Sequence, residues 1–237
     1  MHRALVGVSA IALLPIALTL SPEIAHADTL FVADFGGRVG EYTTSGATVN
    51  PVLIGPPSSP IGIAASGANL FVTGWKGTIG EYTRSGATVN ASLITGLSVE
   101  PWGIVVSGSN LFVTNSSTGT IGEYTTSGVT VNASLITGFP TFLGGSGATA
   151  IAVSGSNLFV GGGYRDAPLI DQPDGQIGEY TTSGATVNAS LLPGGLGAGR
   201  GFFPVGIVVV PVPEPGTSLL VMGGALGLAG VRGRRRF

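Results

Sequence analysis

Charged and hydrogen-bonding side chains that could do chemistry are concentrated in one segment, "GGGYRDAPLIDQPDGQ", which runs from Gly161 to Gln176. The side chains concerned are Tyr164, Arg165, Asp166, Asp171 and Asp174. An Asp-x-x-Asp-Gly stretch offers oxygen ligands to Ca²⁺, but it lacks the spacing of a complete calcium loop, and we assign no metal site to it. Ligand contacts concentrate in long loops on rigid scaffolds; a solvated hairpin is the alternative that we favour.

Two tryptophans, Trp75 and Trp102, are the other candidates for ligand contact. An exposed aromatic ring can stack on a sugar ring, so polysaccharide is the ligand class that they suggest. Either indole could instead fill the narrow space between neighbouring elements of the fold.

Four glutamates occupy the same place in a repeated phrase, and each is followed by a tyrosine. The glutamates are Glu41, Glu81, Glu123 and Glu179. Symmetry could arrange them in a ring that binds a cation. We favour a role in the fold, near exposed strand edges, because a repeated residue usually serves the repeat itself. The tyrosines, Tyr42, Tyr82, Tyr124 and Tyr180, are predicted to pack between repeats.

The chain has few of the residues that nucleophilic catalysis requires. The chain has no cysteine, and its two histidines, His2 and His26, lie in an N-terminal segment that we expect to be removed. Ser-His-Asp and Cys-His catalysis and the usual zinc ligand sets are therefore excluded for the remaining chain, and no cofactor is predicted. Paired carboxylates could still hydrolyse glycosides, since that reaction needs only two suitably spaced acids.

The N-terminal segment has the layout of a secretory signal peptide. Arg3 precedes an apolar run from Ala4 to Leu20, and Ala25-His26-Ala27 follows as a small-x-small cleavage site. We therefore expect residues 1–27 to be removed before Asp28 during Sec-type export. A retained helical anchor is the alternative.

Charge sets a limit on the partners. Only 9% of the 237 residues are charged, and residues 28–211 carry five basic and ten acidic side chains, for a net charge of −5. Nucleic acid is not an expected partner, because phosphate binding needs a basic face.

A repeat dominates the region from residue 28 to residue 211, which we take as one domain. The phrase "IGEYTRSGATVNASLITG" at Ile79 returns in variant form at Val39, Ile121 and Ile177, at offsets of 40, 42 and 56 residues. Each unit contains four short runs rich in β-branched and aromatic residues, separated by Ser, Gly and Asn turns. Four strands in about 40 residues is the period of a β-propeller blade, so we predict an all-β fold of four four-stranded blades.

The order of strands at the two ends predicts how the ring closes. The first unit lacks its opening strand, and a spare copy, Gly206–Val210, follows the last unit. We expect this strand to pair beside Leu30–Ala33, which would leave no exposed sheet edge. An open arc, or a ring closed by a partner chain, is the alternative. The phrases "GTIGEYT", "SGSNLFVT" and "PWGIVVSG" resemble the short-blade propellers of the NHL and YVTN kind over residues 29–210.

The C-terminal segment is built like an anchor. Seventeen uncharged residues from Pro215 to Val231 are just enough for a membrane-spanning helix, which we place at about 216–231. The arginines that follow would stay on the cytoplasmic side. They are Arg232, Arg234, Arg235 and Arg236.

A Pro-Glu-Pro immediately before this helix adds a specific signal. Val212, Pro213, Glu214 and Pro215, with the apolar helix and the arginines, resemble the PEP-CTERM sorting signal of Gram-negative bacteria, over residues 212–237. The prolines keep the motif extended and accessible to a protease. The resemblance implies recognition by an exosortase, transient membrane anchoring, and delivery to the cell surface, outer envelope or medium. It also implies an association with extracellular polysaccharide.

These observations favour an exported, non-catalytic surface or matrix protein that binds polysaccharide or has a structural role. General acid–base chemistry most often recruits histidine, which the domain lacks. The alternative is a secreted hydrolase of glycosidase type that uses carboxylates alone.

Overall fold

The structure is a computed structural model that describes residues 29–34, 36–55, 59–98, 100–139, 147–163, 176–192, 204 and 206–210. All regular elements in these ranges are β-strands. They are β1 (Thr29–Asp34), β2 (Arg38–Thr43), β3 (Thr48–Ile54), β4 (Pro60–Ser66), β5 (Asn69–Gly74), β6 (Thr78–Thr83), β7 (Thr88–Ile94), β8 (Pro101–Ser107), β9 (Asn110–Asn115), β10 (Thr120–Thr125), β11 (Thr130–Ile136), β12 (Ala148–Ser154), β13 (Asn157–Gly162), β14 (Gln176–Thr181) and β15 (Thr186–Leu192). The predicted all-β class is confirmed.

The strands form four antiparallel sheets, which we call blades 1 to 4. Blade 1 contains β1–β3, blade 2 contains β4–β7, blade 3 contains β8–β11, and blade 4 contains β12–β15. In blades 2 to 4 each strand pairs with the next along the chain, and neighbouring blades meet through their first strands, β4 with β8 and β8 with β12. We call these first strands the inner strands.

Blade 1 differs from the prediction, because it has three strands. Residues 206–210 are described, but they do not form a strand and do not pair with β1. The apolar side chains that such a pairing would cover stay in solvent, with Leu30 47% and Val208 82% exposed. Over the described residues the fold has the open arc that the sequence left as an alternative.

A recurring Thr-x-Ser-Gly turn links the last two strands of every blade. In blade 2 the Thr83 hydroxyl accepts the Ala87 N–H at 3.0 Å and lies 2.8 Å from the Ser85 hydroxyl. Gly86 adopts φ +86°, which favours glycine because it has no Cβ to clash with the backbone. This local chemistry explains why the turn survives unchanged in sequence from blade to blade.

The core lies between blades, where the tyrosines pack. Tyr82 of blade 2, for example, joins Leu70 and Val72 against Val39 and Ile54 of blade 1. The prediction that these tyrosines pack between repeats is thereby confirmed for Tyr82, Tyr124 and Tyr180, which are 5–6% exposed. Burial disfavours the phenolate, and the pKa of each of these three hydroxyls is raised above its usual value.

The repeated glutamates serve the fold, but not from a sheet edge. Glu123 lies on β10, which is paired on both sides, and it is only 9% exposed. Its Oε1 accepts a hydrogen bond from Asn110 Nδ2 at 2.6 Å, across the neighbouring strand. Glu81 and Glu179 have the same bond to Asn69 and Asn157. The predicted position near exposed edges is wrong, because the phrase falls on the third of four strands.

Candidate functional site

A break in the strand ladder shapes the inner strand of blades 2 and 3. The register of β8 on β9 jumps from the pair Pro101–Asn115 to the pair Ile104–Val113, so Gly103 has no place in the ladder. The buried Thr114 hydroxyl accepts the Gly103 N–H instead, at 2.7 Å. Such irregularities re-aim the side chains that they carry, and Trp102 lies in this one.

Blade 2 repeats this device with one more contact. The Thr73 hydroxyl accepts the Gly62 N–H at 2.8 Å and lies 3.4 Å from the carbonyl oxygen of Trp102 in the next blade. The threonine therefore ties its own inner strand to the neighbouring one. The backbone around Trp102 is held from both sides, because Thr73 of blade 2 contacts the Trp102 carbonyl oxygen and Thr114 of blade 3 bonds to the adjacent Gly103.

In blade 4 a threonine also ties the inner strand to the segment that follows, but the threonine and the glycine occupy different positions. Glycine, Gly161, stands where Thr73 and Thr114 stand in the earlier blades, and a threonine, Thr149, takes the place of Trp102. The Thr149 hydroxyl donates to the carbonyl oxygen of Pro204 at 2.8 Å. Residue 204 is thus attached where the inner strand of a following blade would begin.

The inner strands surround a central cavity of about 390 Å³. Its wall is formed by β4, β8, β12 and the segment at Gly206 and Ile207. The equivalent wall positions of blades 2, 3 and 4 hold Ile61, Trp102 and Thr149, so only the third blade presents an indole. The volume lies in the range of small-molecule pockets, and the described lining residues include no acidic side chain.

Trp75 is the other predicted contact residue that the structure describes. It follows β5 directly and is 41% exposed, and its carbonyl oxygen accepts the Glu100 N–H at 3.3 Å. Glu100 in turn directly precedes the strand that carries Trp102. One short connection therefore links the backbones around both tryptophans.

Glu100 itself is held in an unusual conformation. Its φ is +72°, a left-handed value that is costly for a residue with a Cβ and that is found disproportionately at functional sites. The buried Ser116 compensates with two contacts, because its N–H donates to the Glu100 carbonyl oxygen at 3.2 Å and its hydroxyl donates to Oε2 at 3.1 Å. These bonds fix a carboxylate between the two tryptophans in the chain.

The departures from the repeat share one face, which we call the variable face. Because the strands of each blade alternate in direction, the turns after β5 and β9 and the connections between blades all lie at this end. The end of β13 and the start of β14, between which the insertion occurs, lie there too. The opposite face carries only the regular Ser-Gly and Thr-x-Ser-Gly turns.

An ion pair between an arginine and an aspartate lies on the variable face. Arg38 Nε lies 2.7 Å from Asp34 Oδ2 in the turn between β1 and β2. The hydrogen bond from Arg38 holds the pKa of the Asp34 carboxyl below its usual value. Within the part of the chain that the structure describes, no three histidine or acidic side chains converge as a candidate metal site.

The structure thus places two of the predicted contact residues, Trp75 and Trp102, on one face. The predicted loop residues Tyr164, Arg165, Asp166, Asp171 and Asp174 lie outside the described residues, as do Ala25, Ala27 and Asp28 at the cleavage site and the motif residues of 212–237. Sequence reasoning missed Glu100, Ser116 and Thr149. Glu100 and Thr149 break the repeat, and that departure was the available signal.

Comparison with known proteins gives one family match, at the C-terminus. Residues 211–236 match the PEP-CTERM protein-sorting motif. The chain carries this sorting signal. The motif implies an exported protein that an exosortase sorts, with transient membrane anchoring before it reaches the cell surface. No curated protein matches the sequence. Over the described residues there is no helix with the length and apolar character needed to cross a membrane, and the predicted span at about 216–231 lies outside them.

Solved structures support the fold. The chain is similar to one in a nidogen/laminin complex, with 17% identity, 67% of this chain and 59% of that chain covered, and a TM-score of 0.52. U3-55K is 16% identical, with 65% of this chain and 45% of that chain covered and a TM-score of 0.50. BamB from Moraxella catarrhalis is 20% identical, with 68% of this chain and 44% of that chain covered and a TM-score of 0.43. The chain spans less than two thirds of each of these structures. The similar chain of the nidogen/laminin complex is a β-propeller, and the likeness to it shows a propeller-like fold.

Proposed function

We propose that this exported protein is a non-catalytic component of the cell surface or extracellular matrix that binds polysaccharide at the variable face. The carrying observation is Trp102, which stands in the cavity wall where the neighbouring blades have Ile61 and Thr149. Of the three equivalent positions, one holds an indole, so the side chain there differs from those that the repeat uses in the other two blades. That departure favours a ligand contact over a role in the fold.

The surroundings of Trp102 suit a sugar chain. Trp75 is exposed on the same variable face, and a polysaccharide could stack on one indole at the surface and one at the cavity. The Glu100 carboxylate, oriented by Ser116, can accept hydrogen bonds from sugar hydroxyls. Apolar stacking with a few fixed polar groups is the usual composition of a small-molecule site.

The same wall argues against glycoside hydrolysis in the cavity. A glycosidase needs two carboxyl groups about 5 to 9.5 Å apart. The described lining residues supply hydroxyl, indole and aliphatic groups, with no carboxyl group among them. These hydroxyl, indole and aliphatic groups are suited to binding a ligand.

Titration of the purified full chain against soluble extracellular polysaccharide from the native host tests the proposal. Trp102→Ala and Trp75→Ala should each weaken binding about tenfold or more, since burying an aromatic ring contributes about 1.5–3 kcal/mol. Arg84→Ala is the matched control, because Arg84 is exposed in a turn of the opposite face and should leave affinity unchanged. Equal affinity for all variants, or release of reducing sugar by the parent chain, would contradict the proposal.

Processing forms the second part of the proposed function. Residues 1–27 are removed during export by the Sec machinery. An exosortase later cuts near the Pro-Glu-Pro motif and so separates the domain from the C-terminal helix. This cut delivers the domain to its site of binding. The match to the sorting motif supports the second cut. Mass spectrometry of the protein from its host should find a chain beginning at Asp28 and lacking the C-terminal arginines. A mature extracellular protein that retains Arg234–Arg236 would show a plain anchor instead.

A further inference from the structure

The three interfaces between blades are copies of one another. In each, the second and third strands of one blade pack on the last strand of the blade before it, as Leu70 and Tyr82 pack on Ile54. The turn glycine of the later blade also sits against a leucine of the earlier one. A Cβ built on Gly86 would lie 3.1 Å from the side chain of Leu53, and Gly128 and Gly184 repeat this against Leu93 and Leu135.

Blade 1 exposes the receiving half of this interface. Leu30 and Val32 are 47% and 46% exposed, whereas their equivalents in blade 2, Leu70 and Val72, are 0% and 7% exposed. Around Gly46, the equivalent of Gly86, a Cβ would meet nothing within 4 Å. Among the described residues, no strand pairs with β1 on the side away from β2.

Blade 4 exposes the other half. Leu192 is 42% exposed, while Ile54, Ile94 and Ile136 at the same position are 4–6% exposed. Leu191, the counterpart of Leu53, is exposed as well. The exposed faces of blade 1 and blade 4 are therefore complementary, and each is one half of an interface that the chain already forms three times.

We propose that these ends join two copies of the chain head to tail, with blade 4 of each copy packed on blade 1 of the other. Within one chain both halves remain in solvent, so the occupant that fits each is a second copy. A head-to-tail contact closes into a ring when the rotation permits, and two four-bladed arcs make eight blades, which lies within the range of known propellers.

The segment Gly206–Val210 completes blade 1 of the second copy. It is anchored behind blade 4 through Pro204 and leaves Val208 and Val210 82% and 74% exposed. In blade 2, Ile63 pairs with Val72 and Ala65 with Leu70. The same register places Ile207 opposite Val32, and Val209 opposite Leu30, of the second copy. This pairing would satisfy the free edge of β1 and cover its apolar side chains.

Disulfide trapping tests the contact cleanly, because the chain contains no cysteine. Leu30→Cys and Leu192→Cys, the equivalents of Leu70 and Ile54, are made as separate full-length variants, mixed, oxidised and run on a denaturing gel. Dimers should form in the mixture and far less in either variant alone, since the contact joins unlike ends. The matched control is Ile54→Cys with Leu70→Cys in one chain, which should bridge internally through the equivalent contact between blades 1 and 2.

The double variant, Leu30→Cys with Leu192→Cys, separates the remaining arrangements. A species of twice the 23.5 kDa chain mass, with no free thiol, is expected for the two-copy ring. A bridged monomer would mean that the chain closes on itself, and a ladder of larger species would mean an open filament. Free thiols at both positions would mean that the ends do not meet. Each of these three results would overturn the proposal.

A second measurement does not depend on cysteine geometry. Native mass spectrometry of the parent chain should give a dimer that Leu192→Asp converts to monomer. Val187→Asp, on the same strand, should leave the dimer intact, because Val187 and its equivalents Val49, Val89 and Val131 are all 52–57% exposed and lie outside the interface. A monomeric parent, or equal dissociation by both substitutions, would refute the interface.

Discussion

Replacing Thr114 by valine removes one hydroxyl from the device that holds Trp102 in the cavity wall. Valine nearly matches threonine in shape, so the fully buried site stays filled while the acceptor of the Gly103 N–H is lost. Because the register jumps past Gly103, no backbone carbonyl replaces that acceptor in the ladder. The perturbation therefore isolates a hydrogen bond without creating a void.

The expected loss of stability is about 1–2 kcal/mol. Leaving a buried donor unsatisfied costs about 1–3 kcal/mol, and Gly103 is only half-buried beside the cavity, so water recovers part of that cost. With an m-value of about 2 kcal/mol/M in urea, the unfolding midpoint should fall by roughly 0.5–1 M. Polysaccharide affinity should fall as well, since the start of β8, which carries Trp102, is no longer held by this hydrogen bond.

Urea unfolding followed by tryptophan fluorescence measures the shift, with two controls. Thr114→Ser keeps the hydroxyl and should recover the midpoint apart from the loss of one methyl group. Thr130→Val changes an exposed threonine at the start of β11 and should have little effect. If Thr114→Val unfolds at the same urea concentration as Thr130→Val, the hydroxyl does not hold the inner strand, and the reasoning is refuted.

Two further predictions concern the packing between blades. Gly122→Ala should destabilise the fold by about 1–3 kcal/mol, because the new Cβ would lie 2.6–2.9 Å from the ring and hydroxyl of the buried Tyr124. Gly206→Ala is its control, since a Cβ there meets nothing within 4 Å, and equal midpoints for both variants would show that the tyrosine ring can move aside. The stability that three buried tyrosines contribute should also be constant up to about pH 10. It should then fall as the pH rises through their folded-state pKa values, because the unfolded chain releases these protons first. The tyrosines are Tyr82, Tyr124 and Tyr180. Replacing all three with phenylalanine should flatten the alkaline limb of the unfolding midpoint against pH, and an unchanged limb would argue against this cause.

Part of the candidate site was visible in the sequence. Trp75 and Trp102 could be singled out because they are the two tryptophans of the chain. Their relation could not, because side-chain alternation along a strand predicts which face a residue occupies only while the register is regular. The break between Pro101 and Ile104 interrupts that alternation at Trp102. Glu100 was missed for a similar reason, since its left-handed backbone is imposed by contacts with the neighbouring turns.

The sequence by itself determined the blade. Strand propensity, the Thr-x-Ser-Gly turns and the Gly-Glu-Tyr phrase are local signals, and they predicted the fifteen strands found among the described residues and the tyrosines packed between blades. Only the tertiary structure decided what happens where the repeat ends. Whether Gly206–Val210 reaches β1 depends on the rotation accumulated over three interfaces between blades, and that angle is set by side-chain packing that no single repeat encodes.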